Sequence, residues 1–211
     1  MAAGTGVRAG PGEPKQFRPI AGVPMLLRAL RPFTSHPDVA QVVVALPPGY
    51  AERPPEWLPR LGGERLVLAP GGAHRALSVV AGLRALGAAC AIVLVHDAAR
   101  PFVSRETIDA VIARARRGVG AVAGAPLTDT VKQVLDGFRV TGTVPRDALW
   151  RAQTPQGFPR RMITEAYQRL DDPAAVTDDA EVCERAGFPV EVVADTPHNF
   201  KVTTADDFRI A

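Results

Sequence analysis

The chain has 211 residues, 46% of them hydrophobic, and a formal charge of +3, which suits one domain with a sizeable core. Arginines are dispersed rather than gathered in a tail, which argues against a nucleic-acid arm and suits a small phosphate-rich ligand. Two cysteines, Cys90 and Cys183, with no CxxC pair and no clustered histidines, argue for a reducing compartment and against structural zinc. No signal-peptide pattern and no apolar run of about 18 residues is present, so a cytoplasmic location without a membrane span is expected.

The first stretch, MAAGTGVRAGPGEPKQF, contains Gly4-Thr5-Gly6-Val7-Arg8-Ala9, a G-x-G-x-x-A pattern. Pro11, Gly12 and Pro14 interrupt the helix that a dinucleotide site requires, and no acid about 20 residues on is placed to take a ribose hydroxyl. What remains is a glycine loop flanked by Arg8 and Lys15. It reads either as a cradle whose backbone N–H groups and cations meet a polyphosphate, or as a surface turn with scattered charges.

Helix and strand patterns then alternate. A helix is expected over residues 24–33 and a continuous β-branched strand over 39–47. The proline-laden stretch 47–60 reads as an extended surface connection. A strand over 65–70 leads through Gly71-Gly72 into a helix over 74–86. There Val79, Leu83 and Leu86 share one face, and Arg75 and Ser78 point toward whatever covers the helix start. The strand over 90–97, opened by Cys90, ends in His96-Asp97, with Arg100 just beyond. An acid at the carboxyl end of such a strand suits a ribose or a metal, or else caps the next turn; His96 reads as structural.

A helix over 104–117 and a strand over 118–126 follow. Residues 130–158 break the rhythm and hold no helix. In this stretch 131–134 and 139–141 flank Asp136-Gly137 as a hairpin, which must pack against something, such as a second subunit. Helices over 160–170 and 178–186 bracket the last acidic loop, and a strand over 189–195 comes next. Asp178 with Glu181, and Thr204 with Asp207, have the spacing of helix starts. In NFKVTTADDF, Lys201 and Thr203 share a face of a short strand. The alternation predicts an α/β fold with a mostly parallel sheet.

Taken together, AAGTGVRAGPGEPKQF, GGAHRALSV, VHDAARPF, APLTDTVK, VPRDALWRAQTPQGF, TDDAEVCERAG and NFKVT resemble the 2-C-methyl-D-erythritol 4-phosphate cytidylyltransferases of the non-mevalonate isoprenoid pathway. The resemblance spans nearly the whole chain. It implies a single Rossmann-like, GT-A type nucleotidyltransferase domain over 1–211, with a protruding β-arm at roughly 130–158 that interlocks two subunits of a homodimer. It further implies that CTP and a polyol phosphate are the substrates and Mg²⁺ the cofactor.

By matching position, Ala2, Ala3 and Gly4 contact the cytidine and Gly72 and Ser78 help select the base. Gly6, Arg8 and Lys15 hold the triphosphate, and Lys201 reaches the α-phosphate. Asp97, Arg100 and Thr130 face the methylerythritol phosphate, with Thr203 and Asp129 beside them. Arg146 serves the neighbouring subunit's site. Mg²⁺ is carried mainly by the CTP phosphates, with Asp97 as a possible ligand. Neither nucleic acid nor membrane is an expected partner.

Three departures stand out. Family members carry a hydrophobic strand ahead of the A-A-G stretch and a helical tail after the region that ends this chain. The expectation is therefore that the strand holding the loop lies outside the sequence, and that a molecule lacking it is unstable. Ala73-His74 stands where an acid often occurs in the family, which weakens side-chain readout of cytosine. The related alternatives are a ribitol 5-phosphate cytidylyltransferase, whose members tend to show A-G-G and H-D-A-V-R instead, and a catalytically silent nucleotide-binding homologue.

Overall fold

The computed structural model describes residues 1–4 and 13–211. A short 3-10 turn, Lys15–Phe17, precedes a small antiparallel pair, β1 (Pro19–Ile20) and β2 (Val23–Pro24). Then come α1 (Met25–Thr34), β3 (Val42–Leu46), α2 (Pro48–Glu52), α3 (Trp57–Arg60), β4 (Leu66–Pro70), α4 (Arg75–Ala85) and β5 (Ile92–Val95). The second half holds α5 (Arg105–Arg116), β6 (Gly120–Pro126), β7 (Val131–Leu135), β8 (Arg139–Val144), β9 (Trp150–Pro159), α6 (Arg160–Gln168), α7 (Asp179–Arg185), β10 (Val190–Ala194) and α8 (Ala205–Ile210).

Local chemistry accounts for the helix boundaries. The Ser104 side chain accepts from the Thr107 N–H at the start of α5, and Gly118, at φ 87°, follows its end. Asp178 caps α7 through the Glu181 N–H, and Thr204 with Asp207 forms a reciprocal capping box on α8. Ile108, Val111, Ile112 and Ala115 make one buried stripe on α5.

The four-stranded sheet has the order β10-β6-β9-β5, and β3 pairs with β4 in parallel. The expectation of a mostly parallel sheet needs correction. β10 and β6 are parallel, but β9 runs antiparallel between β6 and β5. The reason lies in the preceding hairpin: it reverses the chain, so β9 re-enters the sheet from the opposite end. Alternation then sorts the side chains. Val93 and Val95 face a core with Phe158, Met162 and Cys183, while Leu94 faces Val111, Ala121 and Ala123.

Two further expectations change in detail. Residues 47–60 are not simply extended; they hold α2 and α3, and Leu58 is wholly buried. Cys90 lies ahead of β5 and is half-buried. Cys183 is buried in α7, where burial pushes its thiol up to about 12. The hairpin β7–β8 forms as read, with Asp136 and Gly137 both in the left-handed region at φ 52° and 82°. Its apolar residues Val134, Leu135, Phe138 and Val140 face outward, and Phe138 is 95% exposed.

β3 and β5 each pair on one edge only among the described strands. Between their other edges, Met1 and Ala2 supply the link. The Met1 amino group donates to the His96 carbonyl and the Met1 carbonyl accepts from Ala98 N–H at 3.0 Å, while Ala2 N–H donates to Ala45 at 2.9 Å. Bonds to the residues on either side of Asp97 are those of a parallel pair, with Met1 opposite Asp97. Behind Met1 lies a cavity of about 510 Å³, lined by Leu26, Leu30, Val44, Leu83 and Val93 among others.

An apolar strand fused ahead of Met1 is expected to run into this slot parallel to both edges. A raised Tm and slowed amide exchange at Val43 and Leu94 would show it; no change in either would exclude it. In the mixed sheet, a Cβ on Gly157 would lie 2.4 Å from Val111 Cγ1 and 2.9 Å from Leu94 Cδ2. Gly157→Ala should therefore cost about 1–3 kcal/mol by overpacking, read as a lower urea midpoint. An unchanged midpoint would mean that α5 yields freely.

Candidate active site

A cavity of about 400 Å³ opens where several element ends converge. Ala2, Ala3 and Gly4 form one wall, and Gly72 and Ser78 stand at the entry to α4. Gly71 makes the closeness of these two loops possible, since a Cβ there would sit 2.3 Å from that of Ala3. Ser78 is buried, accepts from the Gly72 N–H at 3.0 Å and donates to the His74 carbonyl at 3.1 Å. It therefore fixes the shape of the turn that presents Gly72.

Charge enters from three directions. Lys15 comes from the first 3-10 turn, and its Nζ donates to the Val202 carbonyl at 3.1 Å. Lys201 comes from the segment before α8, and its Nζ lies 2.7 Å from Asp97 Oδ2. Arg75, at the first position of α4, places Nε 3.5 Å from Asp97 Oδ1. Burial alone would raise the Asp97 carboxyl, but Lys201 and Arg75 hold it well below the usual carboxylate range.

A hydrogen-bonded chain anchors Asp97 from behind. Its N–H donates to Thr154 Oγ1 at 3.0 Å, and the Thr154 hydroxyl lies 3.0 Å from His96 Nδ1. His96 Nε2 is 3.0 Å from the Arg100 carbonyl. A carbonyl only accepts, so Nε2 carries the proton and Nδ1 accepts from Thr154. Burial agrees with this neutral form, lowering the His96 pKa to about 4.

Of the residues singled out from the sequence, Ala2, Ala3, Gly4, Lys15, Gly72, Ser78, Asp97, Lys201 and Thr203 line this one cavity. Arg100 does not line it. Its guanidinium turns to the carbonyls of Asn199 at 2.6 Å and Ala152 at 3.2 Å. Asp129, Thr130 and Arg146 lie exposed at the base of the hairpin, and Arg146 donates to the Thr128 carbonyl. The hairpin leads away from the cavity within one chain, which accounts for their separation from it. Gly6 and Arg8 lie outside the described residues.

Gln16 also lines the site; it falls within the AAGTGVRAGPGEPKQF stretch but has no assigned role there, and its Nε2 donates to the Ala2 carbonyl at 2.9 Å. Asp97 is the one carboxylate among the described lining residues, and no cluster of three metal-ligating side chains occurs among the described residues. The donor set suits an anionic ligand that brings its own cation better than a metal caged by protein. Nor do the described residues include a helix long and apolar enough to cross a membrane.

Comparison with known proteins gives these features a family. The family model of IspD, 2-C-methyl-D-erythritol 4-phosphate cytidylyltransferase, matches residues 1–211. A relative of that name from Nitrosomonas eutropha is 39% identical over 220 residues, covering 100% of this chain and 92% of its own length. Another from Streptomyces coelicolor is 44% identical, covering 100% and 81%. Among solved structures, the cytidylyltransferase from Thermus thermophilus superposes with a TM-score of 0.80 at 36% identity, covering 95% of this chain and 93% of that one. The 4-diphosphocytidyl-2C-methyl-D-erythritol synthase from Anaerococcus prevotii gives a TM-score of 0.84 at 27% identity, covering 100% and 93%. With an α/β fold and a family model matched over its whole length, the chain belongs to the 2-C-methyl-D-erythritol 4-phosphate cytidylyltransferase family.

Proposed function

We propose that the cavity joins CTP to 2-C-methyl-D-erythritol 4-phosphate, giving 4-diphosphocytidyl-2-C-methyl-D-erythritol and pyrophosphate. The observation that carries this reading is the arrival of Lys15 and Lys201 at one cavity whose other wall is the small-residue turn of Ala2–Gly4 and Gly72. The substrate's phosphate monoester attacks the α-phosphorus of CTP; the new P–O bond forms as the bond to pyrophosphate breaks. A monoester has a second pKa of about 6, so it is already a dianion near neutral pH and needs no general base. Positioning of the anions and neutralisation of charge are left to the protein.

Lys15, together with Arg8 and Gly6, holds the triphosphate, and Lys201 serves the reacting phosphate. Ala2, Ala3, Gly4, Gly72 and Ser78 take the cytidine, while Asp97 and Thr203 face the acceptor. Mg²⁺ fits this set as an ion held mainly by phosphate oxygens, with Asp97 as the one carboxylate among the described lining residues able to join it. When bound, it adds neutralisation of the triphosphate. The exposed apolar hairpin supports a homodimer in which Arg146, with Thr130, completes the partner's acceptor site; Arg100 would need a turned side chain to join it. A cytoplasmic location suits both substrates. The names of the relatives favour methylerythritol phosphate over ribitol phosphate.

Lys15→Ala and Lys201→Ala are each expected to lower kcat by roughly 10²-fold, the scale of one lost transition-state donor. Pyrophosphate release from CTP and Mg²⁺, with methylerythritol 4-phosphate and ribitol 5-phosphate offered separately, reads both the variants and the choice of acceptor. Wild-type turnover in both variants would refute the two lysine roles, and release with ribitol phosphate alone would refute the acceptor.

Arg146→Ala should raise KM for the acceptor and leave CTP binding nearly intact. If the hairpin crosses subunits, mixed Arg146→Ala and Lys15→Ala preparations should regain activity through hybrid dimers. Verified subunit exchange without rescue would remove the shared site.

A further inference from the structure

Behind the cavity lies a line of alternating charges that substrate contact does not explain. Asp179, at the start of α7, is 0% exposed. Its Oδ1 accepts from the Tyr167 hydroxyl at 2.6 Å and its Oδ2 accepts from Arg75 at 2.5 Å. Arg75 also faces Asp97, and Asp97 holds Lys201. Gln156 Oε1 receives the N–H groups of Asp179 and Ala180 at 3.0 and 2.9 Å, which fixes the carboxylate's own backbone. The order from core to cavity is therefore Asp179, Arg75, Asp97, Lys201. Both ends of the line are tied to different elements, α7 and the segment before α8.

We infer that Asp179 is a positioning residue for the reaction: it anchors Arg75 beside Asp97, so that Lys201 can turn from Asp97 to a substrate phosphate. The inference rests on Lys201 serving that phosphate. Asp97 is only 8% exposed, and a buried carboxylate left without a cation is strongly disfavoured. With Arg75 pinned, Asp97 keeps one counter-charge while its second, Lys201, is released. A wholly buried Asp179 already bonded to Tyr167 cannot follow Arg75 toward the cavity, so the anchor is rigid. Without it, the Arg75 guanidinium is free to leave Asp97, and Lys201 becomes the sole partner of that carboxylate.

Asp179→Asn should lower kcat about tenfold with little change in KM for CTP, and the loss should vanish in a Lys201→Ala background. A merely structural defect would multiply with Lys201→Ala instead. Tyr167→Phe, which removes one bond and keeps the Arg75 pair, should show a smaller loss with the same dependence on Lys201 and serves if Asp179→Asn fails to fold.

A second readout needs no turnover. The chain has three lysines, and Lys132 on the exposed hairpin provides an internal reference. Brief acetic anhydride labelling of the unliganded protein, read by mass spectrometry, should show Lys201 reacting several-fold more slowly relative to Lys132 in Asp179→Asn or Tyr167→Phe than in wild type. Slower labelling in a protein that releases no pyrophosphate would uphold the anchor and overturn the proposed reaction. Unchanged labelling, or losses that multiply, would overturn the anchor whatever the wild-type activity.

Discussion

The site depends on keeping one buried carboxylate ionised. Asp97 sits at the end of β5, where removal from water opposes its charge, and it is stable there because cations reach it from two sides. Each contact draws on a different part of the chain. Lys201 arrives from beyond β10, Arg75 from the first turn of α4, and Thr154 from β9, the strand that binds the Asp97 backbone. The sheet order β6-β9-β5 is thus a condition for the chemistry: only an antiparallel β9 beside β5 brings Thr154 to this point.

Local patterns made most elements legible. The helices α1, α4, α5, α6 and α7 follow apolar spacing, α5 and α7 also have side-chain caps, and the hairpin turn follows from Asp136-Gly137. β9 was not legible as a strand, because Arg151, Gln153, Thr154 and Gln156 break the apolar run expected of a central strand. Arg151 is exposed, but Gln153, Thr154 and Gln156 are buried because each has tertiary work. Gln156 caps α7, Thr154 ties Asp97 to His96, and Gln153 Nε2 donates to the carbonyls of Thr196 and Asn199 at 3.2 Å. Such partners are distant in sequence, so no period of two or 3.6 announces them. The parallel-sheet expectation failed at the same place and for the same reason.

Much of the cavity was legible through motifs, since glycine turns, an acid at a strand end and paired lysines have direct chemical meaning. Arg100 marks the limit of that reading. Its position beside Asp97 in sequence suggests shared duty, yet its guanidinium holds the carbonyls of Ala152 and Asn199 and so ties β9 to the segment before α8. A side chain with five donors can be structural and still sit next to a residue that lines the cavity. Arg146 and Thr130 raise a different limit, since a single chain places them on a hairpin that leaves its own cavity.

Among the described residues that line the cavity, none forms a nucleophile paired with a base. His96, the histidine nearest to Asp97, is spent on Thr154 and the Arg100 carbonyl and is held neutral by burial. That arrangement suits a reaction whose nucleophile arrives already ionised on the substrate. An anionic attack on an anionic centre is slowed chiefly by repulsion, and fixed cations reduce it only if they are available at the right moment. A lysine locked on a carboxylate is not available, whereas one that shares its carboxylate with a pinned arginine is. On this view the buried acids do not oppose phosphate binding. They hold the cations in readiness, and the strand-end geometry that looks like a structural ion-pair network is also what lets one member of it be lent to substrate.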